Sequence, residues 1–508
     1  MPLRPNANAP GTKASNTGSG PATPLVDQIV IAMQRDIDTR KLPPGARVPS
    51  IRDLARRQLI SRHSAVEAYD RLVAAGYLES RPGSGFYVAA RGRGTPDTGA
   101  GERRRIYDVA WLIRQALEDG SDMLKVGGPW LPDAWLDCDG IQRVVRALGR
   151  EPGGHLLHYG HPLGYLPLRQ QLQLKLAEIG ITTTPDQIVL TCGTSQALEL
   201  VTRYLLSSGD TAFVDDPGYY NLFGFLRQSG IRLVGVPRNV DGPDIAAMRQ
   251  LLTQHRPKAF FTQTLMQNPT GTDMSPSVMH RVLQAAEEFD FTIIEDDTYC
   301  DIGTNPSARL ATLDQLNRVI YVRSFSKTLS GSLRVGFAAA SPPIADAITN
   351  LKVLSCITTS LFSEKLIHRL LIEGHYRKFL DRLRVRITQA RSASMRLLAS
   401  VGMAAFCEPA GGNFLWARFP HIEDSEALIA DARGNGIMLA PGAVFRPNLE
   451  SSPYLRFNVT MCGDPRLESF LRKAGGEGRT ARGETRPVSL VTQTASDTPG
   501  ANGNRHAP

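Results

Sequence analysis

A lone lysine, Lys327, stands among hydroxyls in the stretch Ser324-Phe325-Ser326-Lys327-Thr328-Leu329-Ser330-Gly331-Ser332-Leu333-Arg334, with an arginine closing it. A lysine amine in a pocket can form an imine with an aldehyde cofactor. Ser324 and Arg334 could hold a phosphate, the serine as donor and the arginine as a planar fork. Other stretches offer matching chemistry. In Glu295-Asp296-Asp297-Thr298-Tyr299 a carboxylate could keep a pyridine nitrogen protonated, and the tyrosine could bond a ring hydroxyl. Asp216-Pro217-Gly218-Tyr219 ends on an aromatic able to stack on a flat ring. Asn268-Pro269-Thr270-Gly271 is a turn whose amide can donate to a phenolate oxygen. Cys192-Gly193-Thr194-Ser195-Gln196 puts a glycine and hydroxyls at a helix start, which makes a phosphate cradle. Arg456 is a single cation in an apolar segment and needs an anion. A substrate or effector carboxylate would serve, and so would an internal Asp or Glu. Each motif alone has a plainer alternative: a solvated loop lysine, a core aromatic, an ordinary turn, an acidic metal-ligating cluster. No His or Cys spacing accompanies the acids, which argues against a metal.

These residues need a scaffold that brings strand ends together. Short apolar runs at residues 188–191, 211–215, 259–262, 291–294, 319–322, 335–339 and 454–459 read as strands. Each candidate then lies just beyond a strand or within one. Residues 197–206 read as a helix. From residue 106 to about residue 474 strands and helices alternate, which predicts a parallel sheet, and open α/β sheets hold ligands at strand ends.

At 508 residues the chain has room for two or three domains. Its six cysteines show no paired spacing, which argues for reduced thiols in a cytoplasm and against a disulfide framework. There is no apolar run of transmembrane length and no signal-peptide core. Residues 1–105 hold 17 Lys and Arg against 9 Asp and Glu, so they carry +8 of the net +9. A basic N-terminal module on a near-neutral body suggests an anionic partner for the module.

Residues 1–23 are rich in Pro, Gly, Ala, Asn, Ser and Thr and are expected to be disordered. Residues 24–89 read as three helices followed by a hairpin. Leu25, Ile29 and Met33 recur at helical spacing. Ser50 can cap a second helix, with Asp53 completing the box. Ser61 can cap a third, whose apolar face is Ala65, Tyr69, Leu72 and Val73 and which Gly76 stops. Residues 77–79 and 86–88 read as strands joined by a tight loop. That order is a winged helix-turn-helix, in which Arg52 and Arg62 suit phosphates or guanine edges and the loop tip suits a minor groove. Residues 90–105 form a basic linker and residues 475–508 a second disordered tail.

The wording P-P-G-A-R-V-P-S-I-R-D-L-A through S-R-H-S-A-V-E-A-Y-D-R-L to G-Y-L-E-S-R-P-G-S-G-F-Y-V resembles the GntR family of bacterial regulators. The resemblance implies that Arg52, Arg62, His63, Ser64 and the wing positions Gly83 and Ser84 touch DNA. His63-Ser64-Ala65 departs from the family's more usual Asn or Thr followed by Thr-Val. The order G-T-S-Q-A-L, D-P-G-Y, N-P-T-G, E-D-D-T-Y, S-F-S-K-T-L-S-G-S-L-R and Y-L-R-F-N is similar to that of fold-type I aminotransferases, which carry pyridoxal phosphate. This second resemblance makes Lys327 the imine-forming lysine and Asp296 the partner of the pyridine nitrogen. Tyr299 and Asn268 would bond the ring hydroxyl and Tyr219 would stack on the ring. Thr194, Ser195, Ser324 and Arg334 would hold the phosphate. Arg456 would bind an amino-acid carboxylate, and Tyr159 would reach the phosphate of a partner subunit in a homodimer. The implied fold is an α/β fold-type I aminotransferase-like domain with a smaller C-terminal α/β subdomain.

A GntR-type winged helix joined to such a body resembles the MocR subfamily. The expectation is a DNA-binding transcriptional regulator that takes pyridoxal phosphate and an amine or amino acid as effector. The alternatives are an active aminotransferase with an accessory DNA-binding domain and a scaffold that has lost its cofactor. The intact lysine, aspartate and arginine fit the last of these poorly.

Overall fold

A computed structural model of the chain describes residues 25–38, 41–43, 45–74, 77–81, 84–89, 109–117, 122–151, 153, 157–303 and 308–480. Contacts divide the chain between Gly99 and Ala100 into two compact units.

The first unit holds α1 (Leu25–Asp38), α2 (Ile51–Gln58), α3 (Arg62–Ala74), β1 (Leu78–Arg81) and β2 (Gly85–Val88). The Ser50 hydroxyl accepts from the Asp53 amide at 3.2 Å and so caps α2, but the Asp53 carboxylate accepts from that hydroxyl at 2.7 Å and not from the Ser50 amide, so the cap forms without the expected box. Leu59 then stops α2 by adopting a left-handed φ of 53°. The Ser61 hydroxyl accepts from the Ser64 amide at 3.0 Å and starts α3. Ala65, Tyr69 and Leu72 are buried, while Val73 only packs against that core. The Tyr69 hydroxyl donates to the Pro49 carbonyl at 2.7 Å and its ring meets Phe86 edge-on at 4.9 Å, which fixes α3 against the entry to α2 and the wing. The wing strands pair antiparallel from Leu78↔Val88 to Arg81↔Gly85; β1 starts one residue later and runs two residues further into the loop than expected, and β2 starts one residue earlier. Gly76 and Gly83 lie outside the described residues, as do residues 1–24 and 90–108.

The second unit carries a sheet of β3 (Ile188–Thr191), β4 (Thr211–Asp216), β5 (Arg232–Asn239), β6 (Gly242–Pro243), β7 (Pro257–Thr262), β8 (Thr292–Asp296), β9 (Val319–Ser324) and β10 (Gly336–Ala339). Their order is β3-β10-β9-β8-β7-β4-β5-β6. Strands β5, β4, β7, β8 and β9 are parallel. The expectation of a parallel sheet is corrected at β10, which runs antiparallel to β3 and β9, and at β6. Only residues 325–335 separate β9 from β10, with no helix to carry the chain across the sheet, so the chain must come straight back. That short excursion carries Lys327 and ends at Arg334.

A smaller antiparallel sheet of β11 (Ala404–Ala405), β12 (Phe414–Arg418), β13 (Ala440–Pro441) and β14 (Leu455–Asn458) has the order β11-β12-β14-β13 and forms the C-terminal subdomain with helices His375–Ser400 and Pro465–Thr480. The last helix passes the tail boundary expected at residue 474, with Gly475 and Gly476 inside it. No described helix is long and apolar enough to cross a membrane.

Candidate functional site

The carboxyl ends of the central strands of the large sheet open on a cavity of about 610 Å³, a size typical of small-molecule sites. Lys327, Asp296, Asn268, Tyr299, Tyr219, Thr194, Ser195, Ser324 and Arg334 all line it. Sequence positions from 194 to 334 thus converge because each lies just beyond a strand of one sheet or at its end.

Lys327 sits three residues beyond the end of β9. Burial pushes its amine down to about 8; Arg456 and Arg334 add to that push and Asp296 opposes it. No described group accepts a hydrogen bond from its Nζ. Asp296 ends β8 and accepts from Gln263 Nε2 at 3.1 Å, from the Thr298 amide at 3.0 Å and from the Thr298 hydroxyl. Burial raises its pKa to about 6 against the pull of the Thr298 donors. At neutral pH it is therefore mostly ionised, as a partner for a protonated ring nitrogen must be.

Gln263 also accepts from the Asn268 amide at 2.8 Å, so one side chain sets both Asp296 and Asn268. Asn268 Oδ1 accepts from Arg456 Nη1 at 2.7 Å, which leaves its NH₂ free to donate. Burial pushes the Tyr299 hydroxyl well above its ordinary range and keeps it a donor; its ring lies edge-on to Phe414 at 5.3 Å.

The helix Gly193–Leu205 starts four residues earlier than expected, so Gly193, Thr194 and Ser195 form its first turn and present backbone amides. Arg334 donates from Nη2 to the Cys192 carbonyl at 2.8 Å and from Nη1 to Ser326 Oγ at 3.4 Å. Gly193 has a φ of +76°, and a Cβ there would come within 2.7 Å of Arg334 Nη2, so only glycine admits the guanidinium. The Thr194 hydroxyl is bonded to the Thr298 hydroxyl at 2.8 Å, leaving its amide as the group free for an anion.

Two candidates lie off the cavity wall. Tyr159 is 77% exposed and does not line its own chain's cavity. Arg456, on β14, is 1% exposed and sits behind Asn268. Its Nη2 donates to the Gly127 carbonyl at 2.6 Å, its Nε has no partner, and rings of Phe414, Phe445 and Tyr220 lie 4.5, 4.9 and 5.6 Å away. No Asp or Glu pairs with it among the described residues, so the internal carboxylate considered from sequence is not found there. The acidic cluster resolves differently. Glu295 is taken by the Leu310 and Ala311 amides, and Asp297 by Arg309 at 3.0 Å and the Tyr321 hydroxyl at 2.7 Å. Only Asp296 faces the cavity.

Gln263, Thr298 and Trp130 are site residues that sequence reasoning missed. Gln263 carries a usable signal, since it directly follows β7 as the other site residues follow their strands. A neighbouring groove of about 1020 Å³ shares Ser195, Tyr219 and Arg334 but neither Lys327 nor Asp296, so the smaller cavity is the chemical one.

In the first unit Arg52, Arg62 and His63 are exposed, and neither arginine has an ion-pair partner among the described residues. Arg56 and Arg71, by contrast, pair with Asp53 and with Asp27 and Glu67. Ser64 is half-buried with its hydroxyl on Ser61, and Ser84 bonds the Tyr87 hydroxyl at 2.7 Å. Arg81 lies over the Tyr87 ring at 4.4 Å and is paired with Glu79, to which its Nε donates at 3.0 Å, so it is engaged like Arg56 and Arg71.

The family model described as aminotransferase class I and II matches residues 136–473, and that for bacterial regulatory proteins of the gntR family matches residues 25–88. The HTH-type transcriptional regulator YdfD of Bacillus subtilis is 26% identical over 89% of this chain and 96% of its own length. The probable rhizopine catabolism regulatory protein MocR of Rhizobium meliloti is 29% identical over 82% and 86%. The crystal structure of LysN, the alpha-aminoadipate aminotransferase of Thermus thermophilus, superposes with a TM-score of 0.66 at 27% identity, covering 75% of this chain and 98% of that one.

Proposed function

The chain belongs to the class I and II aminotransferase family over residues 136–473 and carries a gntR-family DNA-binding region before it, and from that premise we propose a MocR-type regulator that binds pyridoxal phosphate at Lys327 and senses it together with an amine or amino acid. The observation that carries the cofactor reading is the unpartnered amine of Lys327 in one cavity with the Asp296 carboxylate. The lining fits the group: an amine, a buried carboxylate, an amide and a phenol donor, and a helix N-terminus flanked by serines and an arginine. Bound there, pyridoxal phosphate would supply an aldehyde for a lysine and an electron-accepting ring.

The chain's own residues then divide the work. Lys327 offers an amine that is partly free base at neutral pH. Asp296 holds the proton on the ring nitrogen. Asn268 and Tyr299 donate to the ring oxygen, and Tyr219 covers a face of the ring. Ser324, Ser195, Arg334 and the Thr194 amide hold the phosphate. Tyr159, exposed and outside its own cavity, is assigned to the partner subunit's phosphate in a homodimer. Residues 24–89 form the DNA-binding domain, 90–105 the linker and 106 to 480 the sensor body, in a cytoplasmic protein.

Arg52, Arg62, His63, Ser64 and the wing, with Gly83 and Ser84, are assigned to operator DNA. Arg52→Ala and Arg62→Ala are expected to weaken DNA binding and leave cofactor uptake unchanged. An arginine that bonds a phosphate should, on removal, lower the salt slope by about 1 and weaken all sequences alike. An arginine that reads a base edge should instead cost about 1–3 kcal/mol at the cognate site. Unchanged gel-shift affinity in both variants would contradict the placement.

Arg456→Ala is expected to retain the yellow cofactor complex and lose the spectral response to amino acids, since a buried guanidinium without a carboxylate is the anion site. Responses like those of the unaltered protein would instead assign Arg456 to holding Asn268 alone. The second reading, an active aminotransferase, draws on the same complete set of Lys327, Asp296 and Arg456. Sustained amino transfer to a keto acid would select it.

A further inference from the structure

We propose that Gln263 is a positioning residue of the cofactor site: its carboxamide keeps Asp296 an acceptor-only carboxylate and holds Asn268 in register with it. This rests on the cofactor reading above and assigns a residue which that reading leaves unused. Gln263 is buried and directly follows β7, and every contact that carries the argument lies inside one chain.

The orientation of the amide is fixed by its neighbours. The Asn268 backbone N–H can only donate, so Gln263 Oε1 must face it, at 2.8 Å. Nε2 is thereby turned to Asp296 Oδ2 at 3.1 Å, where it too can only donate. The Thr298 amide and hydroxyl both donate to Oδ1. Gln263 is thus the one donor to Oδ2 among the described residues. A proton on Oδ2 would meet the amide hydrogens, so the ionised form is favoured. Burial raises the Asp296 pKa to about 6, against the donors of Thr298 and Gln263, and Asp297 adds to the rise. The other titratable groups that interact with this carboxylate are Lys327, Tyr219 and Tyr299.

Gln263 is held in turn by a buried ion pair that does not line the cavity. Its backbone amide donates to Asp215 Oδ2 at 3.2 Å, and Arg238 Nη1 donates to the same oxygen at 3.2 Å. Arg238 Nε donates to the Thr272 hydroxyl at 2.9 Å, just past the turn that carries Asn268. Asp215 and Arg238 therefore fix residue 263 and that turn to one another. A residue that acts through Asp296 and Asn268 together requires such support.

The test uses the full-length protein and pyridoxamine phosphate, which has the cofactor's ring but no aldehyde, so Lys327 forms no bond to it. Its affinity is measured from about pH 5 to 9 for the unaltered protein, Gln263→Leu and Gln263→Glu, with the ligand-free thermal midpoint as a check of folding. An ionised Asp296 is needed to hold a protonated ring nitrogen, so affinity should be lost as pH falls through its pKa. Gln263→Leu removes a hydrogen bond to a charged group, and that loss should move to higher pH by about 1–2 units. Gln263→Glu, close to the same size, can replace the donor only while its new carboxyl keeps a proton. Its affinity should therefore fall as pH rises through neutrality, the opposite slope. Variants whose pH profiles keep the shape and position of the unaltered one, at whatever affinity, would overturn the proposal and leave the cofactor reading standing. An unaltered protein that fails to bind the probe at any pH would overturn both.

Discussion

Lys327→Ala protein is expected to lose all covalently held cofactor. The unaltered protein, treated with borohydride in the presence of pyridoxal phosphate, should gain an adduct on Lys327 that mass spectrometry locates, and the variant should gain none. The reason is geometric. Lys327 is the amine on the cavity wall, and no described group occupies its Nζ. Among the described residues another lysine is more deeply buried than Lys327, which makes the assignment a real choice. Lys352 is 0% exposed, but its Nζ donates to the Pro162 and Leu190 carbonyls, both at 2.7 Å, and to Thr359 at 3.2 Å. Its three donors are satisfied and it does not line the Lys327 cavity, so it should stay unlabelled. The pH dependence follows from the depressed amine. With a pKa of about 8, the free-base fraction of Lys327 in the empty protein falls about tenfold per unit below that value. Initial attachment should slow accordingly from pH 8 to pH 6 and level off above about 9. An adduct on another lysine, or a rate that rises as pH falls, would contradict the assignment.

The second large effect is expected between sites. If the body is a sensor, loading it with cofactor, or with cofactor and effector, changes operator affinity. Coupling of ordinary size, about 1–3 kcal/mol, corresponds to roughly 5–150-fold. Linkage requires operator DNA to change cofactor affinity by the same factor, so two independent titrations must agree. The arginines assigned to operator DNA belong to the unit ending at Gly99 and the cavity to the unit beginning at Ala100. Coupling between two units needs an element with two arrangements that both ligands bias. The homodimer proposed above, with Tyr159 reaching across, would supply one. Tyr159→Phe should then weaken cofactor binding and, in the same protein, reduce the coupling. Weaker cofactor binding with unchanged coupling would place Tyr159 at the cofactor but outside the coupling element.

Much of the fold was legible because local chemistry agreed with it. The caps at Ser50 and Ser61 and the Ala65, Tyr69 and Leu72 stripe specify their helices without help from the rest of the chain. The buried strands of the large sheet read as short apolar runs because both faces are covered. The direction of β10 was not legible. Its residues, Gly336 to Ala339, are as apolar as those of a parallel strand, and only the shortness of the 325–335 link distinguishes it. The start of the helix at Gly193 was hidden for a related reason. Gly193, Thr194 and Ser195 are poor helix formers, and tertiary contacts with Arg334 and Thr298 hold them in the first turn. The run of the last helix through Gly475 and Gly476 overrides propensity in the same way.

The site was legible where residue type limits chemistry, at Lys327, Asp296 and Arg334. It was less so where the role comes from a neighbour. Gln263 carries no motif, and its importance arises from facing Asp296 and Asn268 at once. Thr194 reads in sequence as a hydroxyl donor to phosphate, but its hydroxyl faces Thr298 across more than 100 residues of sequence, a pairing that no local pattern reveals. Arg456 allows two partners by sequence, and only its surroundings of one carbonyl, one amide side chain and aromatic rings separate them.

One chain joining operator binding to the chemistry of the Lys327 cavity is tested most directly by titrating one operator fragment at fixed salt. The titration compares the cofactor-free protein, the cofactor-loaded protein and Lys327→Ala in the presence of cofactor. The loaded protein should differ from the cofactor-free protein by at least about fivefold, and Lys327→Ala should follow the cofactor-free curve. Three superimposable curves, unchanged by added amino acids, would contradict the sensor and leave an aminotransferase that happens to carry a DNA-binding domain.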